Sequence, residues 1–286
     1  MVTTLNDCFL DLKARLKRHG VAGAQMEAKE LICAAFEMKG QEFVLKKNQF
    51  LFDKDLERLE ALVSRRLAGE PLQHLIGEWE FYGLTLKVSK DTLIPRPDTE
   101  TLAECGIRHL HNRGGKCRVL DLCCGTGCVG IAVMKHSDCE DLHGVFGDLS
   151  REALAVCREN IVNHGLSGRA MTVVLDATQP WTPTLGKFNL IVCNPPYIPT
   201  GDIPGLDIEV RHEPMMALDG GEDGLDFYRA IVTGYREALQ IGGLLAFEVG
   251  FDQADAVMEL ARAAGYSEVS TESDLTGVRR VVLCRR

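Results

Sequence analysis

The 286-residue chain predicts an α/β protein in two parts. A small helical bundle leads, through a β-hairpin, into a mostly parallel seven-stranded sheet with helices on both faces. Three observations predict this. Up to about residue 75, apolar residues recur at helical spacing. The stretch "GEWEFYGLTLKVS" then alternates in strand fashion about Gly83. From about Thr99 onward, short apolar runs alternate with helical segments, the pattern of βαβ units.

In chain order, Leu5, Phe9, Leu12 and Leu16 form a first helical stripe that Gly20 stops. "AQMEAKELICAAFEMKG" reads as a second helix ending at Gly40. "DKDLERLEALVSRRLAG" places Leu56, Leu59, Leu62 or Val63, and Leu67 on one face, with Gly69 and Pro71 as terminators. The expected domains are 1–75, the helical unit; 76–98, hairpin and linker; and 99–286, the sheet domain. The seven strands are expected at "CRVLDL", "LHGVFGD", "MTVVLD", "FNLIVC", "GGLLAFEV", "YSEVST" and "RRVVLC". Only a short turn separates the last two, so a hairpin closes the sheet. "LDGGEDGLD" (218–226) reads as a solvated loop before a helix.

Composition narrows the class. Hydrophobic content of 45% and charged content of 26% are ordinary globular values. No apolar run approaches the roughly 20 residues that span a bilayer. The N-terminus mixes acids with bases and has no long apolar stretch, so it reads as neither a secretory nor an organelle signal. The eleven cysteines are scattered, which suits reduced thiols and a cytoplasmic setting. Cys124 and Cys128 have no second ligand pair at metal-like spacing, so no metal is expected. The net charge is −9; residues 1–75 hold 12 basic and 11 acidic residues, leaving 20 against 30 for the remainder. That balance lacks the basic face of a protein that grips duplex DNA.

The first strand of the sheet delivers "CCGTGCVG", in which Gly125, Gly127 and Gly130 satisfy G-x-G-x-x-G. Glycines there allow a tight turn and close ligand approach beside a helix N-terminus, although the same pattern serves as a plain strand-to-helix turn. Asp121 sharpens the choice of ligand. A carboxylate beside the loop repels a dinucleotide pyrophosphate but suits a cationic ammonium, such as that of S-adenosylmethionine. Asp148 ends the second strand and can accept both ribose hydroxyls. Its other reading is a helix N-cap, a role Ser150 can fill instead. Asp176, ending the third run, can meet an adenine amino group or simply form a turn.

The fourth strand ends in "IVCNPPYIP", a polar amide and a double proline where the backbone stops donating. Strand order reverses beside this strand in an open α/β sheet, which puts Asn194 next to the glycine loop. An amide or aromatic amino nitrogen is a poor nucleophile because its lone pair is delocalised. Two acceptors aimed at its N–H bonds, the Asn194 side-chain oxygen and the Pro195 carbonyl, would localise that pair toward a methyl donor. Pro196 locks the next backbone angle, and Tyr197 offers a flat face for the target. Holding the two reactants in line supplies the largest share of the acceleration.

"NPPY" together with "DLCCGTG" resembles the class I, Rossmann-like S-adenosylmethionine-dependent methyltransferases that modify planar nitrogens. More narrowly, Gly69–Leu102, "EPMMALDGGEDGLDFYRAI" and "FEVGFDQ" resemble the release factor glutamine methyltransferases (PrmC/HemK), a likeness covering nearly the whole chain. The resemblance implies N5-methylation of the glutamine in the Gly-Gly-Gln motif of peptide chain release factors. It implies that the helical domain recognises substrate and that Cys123, Cys124, Gly125, Thr126 and Gly127 wrap the methionine part of the cofactor. It further implies that Asp148 holds the ribose, that Asn194, Pro195, Pro196 and Tyr197 grip the glutamine, and that Pro95–Glu100, including Arg96, walls the site. A plain linker is the other reading of that last segment. The chain departs from many relatives at Cys123, where they have Gly, and at Ala177, where some place an aromatic against adenine; Trp181 is off in spacing.

Three functions stay in play. The first is a glutamine methyltransferase of release factors, or of a ribosomal protein. The second is a DNA adenine-N6 methyltransferase, opposed by the missing basic surface. The third is a dinucleotide dehydrogenase or non-catalytic binding module, opposed by Asp121 and the NPPY strand end.

Overall fold

The computed structural model describes residues 3–286. It divides into two compact units. One runs to Glu78 and also holds Asp207–His212; the other holds Trp79–Leu206 and Glu213–Arg286.

The smaller unit contains β1 (Thr3–Thr4), α1 (Leu5–Arg18), α2 (Ala24–Ala35), α3 (Gly40–Lys46), β2 (Phe50–Leu51), α4 (Asp53–Leu67) and α5 (Leu72–Ile76). A capping box starts α1. The Asp7 backbone N–H donates to Thr4 Oγ1 at 3.1 Å, and the Thr4 N–H donates to the Asp7 carboxylate at 3.0 Å. Leu5, Leu12 and Leu16 are buried as the stripe predicts. The expected single helix up to Gly40 is two helices instead. α2 stops at Ala35, Glu37 takes a left-handed φ of 51°, and Gly40 opens α3 rather than closing α2.

On α4 the buried face is Leu59, Val63 and Arg66. Arg66 is 4% exposed; its spacing from Leu59 and Val63 puts it on their face, but its charge argues for the surface. It is inside because it is fully paired. Its Nε and Nη2 donate to the Glu27 carboxylate at 2.6 and 3.1 Å, and Nη2 also donates to Glu209 at 2.6 Å. Glu209 and Ile208 bring the segment Asp207–His212 into this unit. Gly69, at φ 97°, lets Ile208 approach so closely that a Cβ would lie 2.7 Å from its Cδ1.

The hairpin consists of β3 (Glu78–Phe81) and β4 (Leu84–Lys87). Its two turn residues, Tyr82 and Gly83, both have positive φ, 50° and 72°, the type I′ geometry that matches strand twist. Read from sequence as a connecting segment, it is packed from Trp79 onward into the larger unit, because Phe81 and Leu86 are buried in that unit's core.

The remaining elements are α6 (Glu100–Leu110), β5 (Cys117–Leu122), α7 (Cys128–His136), β6 (Leu142–Asp148), α8 (Arg151–Asn163), β7 (Ala170–Val174), β8 (Phe188–Cys193), α9 (Asp226–Gly234), β9 (Leu239–Glu248), α10 (Ala254–Ala263), β10 (Glu268–Ser273) and β11 (Arg279–Arg285). The seven-stranded sheet runs β10-β11-β9-β8-β5-β6-β7. The strands β7, β6, β5, β8 and β9 are mutually parallel, and β11 lies antiparallel between β9 and β10. Every residue of β8 is buried, as expected for a central strand covered on both faces. Residues of α6, α7 and α8 pack on one face with Val119, Phe146 and Val192; residues of α9 and α10 pack on the other with Leu122, Cys193 and Phe247. Strand order therefore reverses between β5 and β8, and their carboxyl ends define the place for a ligand.

Arg66→Ala would leave the Glu27 carboxylate buried and unpaired, a loss of about 3–5 kcal/mol. The expected outcome is a large drop in the unfolding midpoint of the helical unit, followed by circular dichroism, that the double variant Arg66→Met/Glu27→Leu largely recovers. An unchanged midpoint in the single variant would show that the buried pair does not hold the unit together.

Candidate active site

A cavity of about 600 Å³ opens at the carboxyl ends of β5, β6 and β8. Its walls include Asp121, Cys123, Cys124, Gly125 and Thr126 from the loop after β5, and Asp148 from the end of β6. Asp176, Ala177, Asn194, Pro196 and Arg96 also line it. Three of the sequence-predicted residues do not: Gly127, Pro195 and Tyr197.

The loop after β5 is a run of left-handed backbone. Cys123, Gly125 and Gly127 have φ of 58°, 52° and 80°. The glycines take this conformation without strain; Cys123 is the side chain that pays for it. Gly127 acts from beneath the loop, where a Cβ would lie 2.7 Å from Cys157 Sγ. Gly130 is required by its neighbours too, since a Cβ there would meet Phe146 at 2.5 Å and the Asp121 carboxylate at 2.8 Å. The same closeness lets the Gly130 N–H donate to Asp121 Oδ2 at 2.8 Å.

Asp121 is 3% exposed, and burial pushes its carboxyl up to about 8, against the pull of the Gly130 N–H. Asp148 is also raised by burial. Its two oxygens accept from the backbone N–H groups of Gly125 and Ser150, each at 2.9 Å. The N-cap of α8 is Ser150, whose Oγ accepts from Ala153 N. Asp176 closes a turn: its Oδ1 accepts from both the N–H and the hydroxyl of Thr178. Trp181 lies outside the cavity, its Nε1 donating to the Gly186 carbonyl; the aromatic ring on the cavity wall is Phe227, from α9.

Asn194 is half-buried at the end of β8, and its Nδ2 donates to Thr99 Oγ1 over a long 3.4 Å. With the amide nitrogen turned that way, Oδ1 is the acceptor end left to the cavity. The Pro195 carbonyl takes no hydrogen bond from the described residues. Tyr197 is a brace. Its hydroxyl donates to Glu248 Oε1 at 3.3 Å, and its carbonyl accepts from Gln253 Nε2 at 2.9 Å.

The segment 218–226 is a clasp on that same tail rather than a solvated loop. Ile198 bridges Asp219, and the Gly220 N–H donates to the Ile198 carbonyl at 2.9 Å. A Cβ on Gly220 would sit 2.7 Å from Tyr197 Cα, and one on Gly224 would sit 2.3 Å from the Tyr197 carbonyl oxygen. The glycines of "GGEDG" are there for backbone approach.

Sequence reasoning missed Glu248, Glu213 and Phe227, and placed Thr99 in the wall without its contact to Asn194. Glu248 is 2% exposed, its Oε2 has no hydrogen-bond partner, and burial pushes it to about 7, with Thr99 and Arg280 pulling the other way. A strand ending in Glu beside a strand ending in Asn was the available signal. Glu213 is buried and raised by desolvation; it accepts from the Ile94 N–H at 2.8 Å and pairs with Arg96, tying two walls of the cavity together.

Comparison with known proteins decides the family. The PrmC N-terminal domain family matches residues 9–77, and the methyltransferase small domain family matches 101–204. A release factor glutamine methyltransferase of Agrobacterium fabrum is 37% identical over 99% of this chain and 98% of its own. One from Caulobacter vibrioides is 39% identical over 99% and 96%. The chain belongs to the release factor glutamine methyltransferase family. The fold itself is also seen in the catalytic domain of hMettl16, with a TM-score of 0.58 at 14% identity over 78% of this chain and 81% of that one.

The cavity of this methyltransferase suits S-adenosylmethionine. Its volume is that of a cofactor site, its lining includes a buried carboxylate without a cation, and the loop glycines admit a ligand against the backbone. Without a neighbouring cation, Asp121 is largely protonated at neutral pH; an ammonium beside it favours the ionised form. If the ligand's ammonium lies beside Asp121, the carboxyl is ionised in the bound state at pH values below about 8 where the unliganded protein keeps it protonated. Binding therefore releases protons in that window, and affinity rises with pH across it. Calorimetry in buffers of differing ionisation enthalpy should show proton release near pH 7 that Asp121→Asn removes. Binding without proton release would place the ammonium elsewhere.

Proposed function

We propose that the enzyme methylates the side-chain nitrogen of the glutamine in the Gly-Gly-Gln motif of peptide chain release factors, with Asn194 and Pro195 as paired acceptors. The observation that carries this reading is that Asn194 and the loop residues Cys123–Thr126 converge on one cavity. S-adenosylmethionine supplies a methyl group on a positively charged sulfur. Cys123–Thr126 would hold its methionine part, with Asp121 toward the ammonium, Asp148 toward the ribose hydroxyls, and Asp176 and Ala177 toward the adenine.

The protein's own task is to prepare the nitrogen. Asn194 Oδ1 and the Pro195 carbonyl accept its two N–H bonds, which rotates the lone pair out of conjugation and aims it into the cavity. Pro196 fixes the angle of the second acceptor. Tyr197, clasped through Glu248, Gln253 and Gly220, keeps the tail from recoiling. No general base is needed, because the alkylated nitrogen is acidic enough to lose its proton to water. Arg96, on the cavity rim and paired with Glu213, would steady the approaching loop. Eleven free cysteines are consistent with a reducing compartment, which supports a cytoplasmic setting.

Purified enzyme with methyl-labelled S-adenosylmethionine should label a release factor at the Gly-Gly-Gln glutamine, and replacing that glutamine should abolish the label. Label in a ribosomal protein or in duplex DNA, with the release factor untouched, would overturn the substrate assignment.

Asn194→Ala should lose about 10²–10³-fold in kcat, the scale for removing one preorganised polar contact to the reacting group. Its cofactor affinity should stay within a few-fold. A collapse of cofactor affinity instead would make Asn194 a cofactor ligand and end the paired-acceptor mechanism.

A further inference from the structure

Six of the eleven cysteines are electrostatic neighbours in three pairs within the larger unit, all of them free thiols: Cys117 with Cys139, Cys124 with Cys157, and Cys123 with Cys193. In the first two pairs both members are buried. The third is different, because Cys123 is half-buried on the cavity wall, where Cys124 also lines the cavity but is buried. Its partner ends β8, one residue before Asn194.

Sheet geometry puts the two thiols together. β5 and β8 are neighbouring parallel strands, with Leu122 opposite Cys193. Cys123 is the next residue along, and the left-handed turn there sends its side chain into the apolar cluster that contains Cys193. Neighbouring strands lie about 4.8 Å apart and a residue rises about 3.3 Å, so the one-residue diagonal from Cys123 to Cys193 is on the order of 6 Å, inside the roughly 4.4–6.8 Å between Cα atoms that a disulfide accepts. Glycine would occupy position 123 without strain, so the thiol is kept at a backbone cost.

We propose that Cys123 and Cys193 form a reversible disulfide that closes the cofactor cavity to its ligand. A peroxide oxidises the accessible Cys123 thiolate to a sulfenic acid, transferring one oxygen and leaving hydroxide, which takes up a proton to become water. The Cys193 sulfur then attacks the Cys123 sulfur, the S–S bond forms, and hydroxide departs and takes the Cys193 proton as a second water. Two thiols lose two electrons and two protons, and the peroxide is reduced to two waters. A dithiol reverses the step by exchange. The new bond ties the first residue of the cofactor loop to the residue that carries Asn194, so the loop can no longer wrap a ligand.

The inference rests on the cofactor placement proposed above, and its test separates the two. Full-length protein is treated with hydrogen peroxide, with and without S-adenosylmethionine, then blocked with N-ethylmaleimide and mapped as non-reduced peptides. Cofactor binding is measured by calorimetry before treatment, after it, and after dithiothreitol.

The expected result is a Cys123–Cys193 cross-link as the main product, slowed by S-adenosylmethionine. Binding sites should be lost in proportion to the cross-linked fraction and regained on reduction. Cys193→Ala should show no such reversible loss relative to its own untreated sample, and Cys123→Ser should behave likewise if the first variant folds poorly. A predominant Cys124–Cys157 or Cys117–Cys139 bridge, a cross-link that leaves binding intact, or an equal reversible loss in both variants would overturn the proposal. Failure of the cofactor placement would read out separately, as a cross-link that S-adenosylmethionine does not slow in untreated protein that binds it normally.

Discussion

The cofactor end of the sheet depends on one carboxylate. Asp148 ends β6 and accepts the N–H of Gly125, from the loop after β5, and the N–H of Ser150, at the start of α8. Two βα turns that share no sequence are thereby fixed to one another by two charge-assisted bonds, stronger than neutral ones. Without them, nothing in the ladder between β5 and β6 would position the loop, since the register stops at Leu122 and Gly147. The Cys124 N–H donating to the Gly147 carbonyl at 3.1 Å extends that register by one rung, and the carboxylate carries it the rest of the way round the turn.

The second constraint is backbone approach, and it appears twice. At the cofactor loop, Gly130 lets helix α7 close on Asp121, and Gly127 lets the turn close on Cys157. Across the cavity, Gly220 and Gly224 let the clasp close on Tyr197. Both halves of the site are thus held by contacts that any side chain would break. Glycine-rich segments that look like mobile loops in a sequence are here the most tightly packed backbone near the chemistry, and the double proline adds stiffness between them. Close backbone packing of this kind adds to the side-chain hydrogen bonds that hold the site, and keeps both of its halves in place before a substrate arrives.

Much of this was legible in the sequence, and the reason is periodicity. "CRVLDL", "LHGVFGD" and "FNLIVC" are strands with the expected ends, because central parallel strands are continuous apolar runs bounded by polar turn residues. The placement of Asp121, Asp148 and Asn194 at one end followed from the order of the runs alone. What escaped notice were features that depend on partners distant in the chain. Arg66 looks like a surface residue until Glu27 and Glu209 are beside it. Gly40 looks like a stop until Glu37 has already turned the chain. Tyr197 looks like a stacking platform until Glu248, 51 positions on, takes its hydroxyl. A pattern reports which face a residue is on; it carries no information about which polar groups will meet there.

That last contact bears on how the acceptor at Asn194 is aimed. A side-chain amide presents an acceptor and a donor end of almost the same shape, so a lone Asn at a strand end has no reason to prefer one direction. Thr99 breaks the tie by accepting from Nδ2. The Glu248 carboxylate lies beside both Thr99 and Tyr197, buried and short of partners, and it favours whichever neighbours donate to it. With Tyr197 donating to Glu248 and Thr99 beside the same carboxylate, the Thr99 proton is drawn toward the acid, its oxygen faces the Asn194 nitrogen, and Oδ1 is left for the cavity. One buried acid thus sets the polarity of an amide it does not touch, which is a use for a carboxylate that would otherwise cost the fold stability with nothing in return.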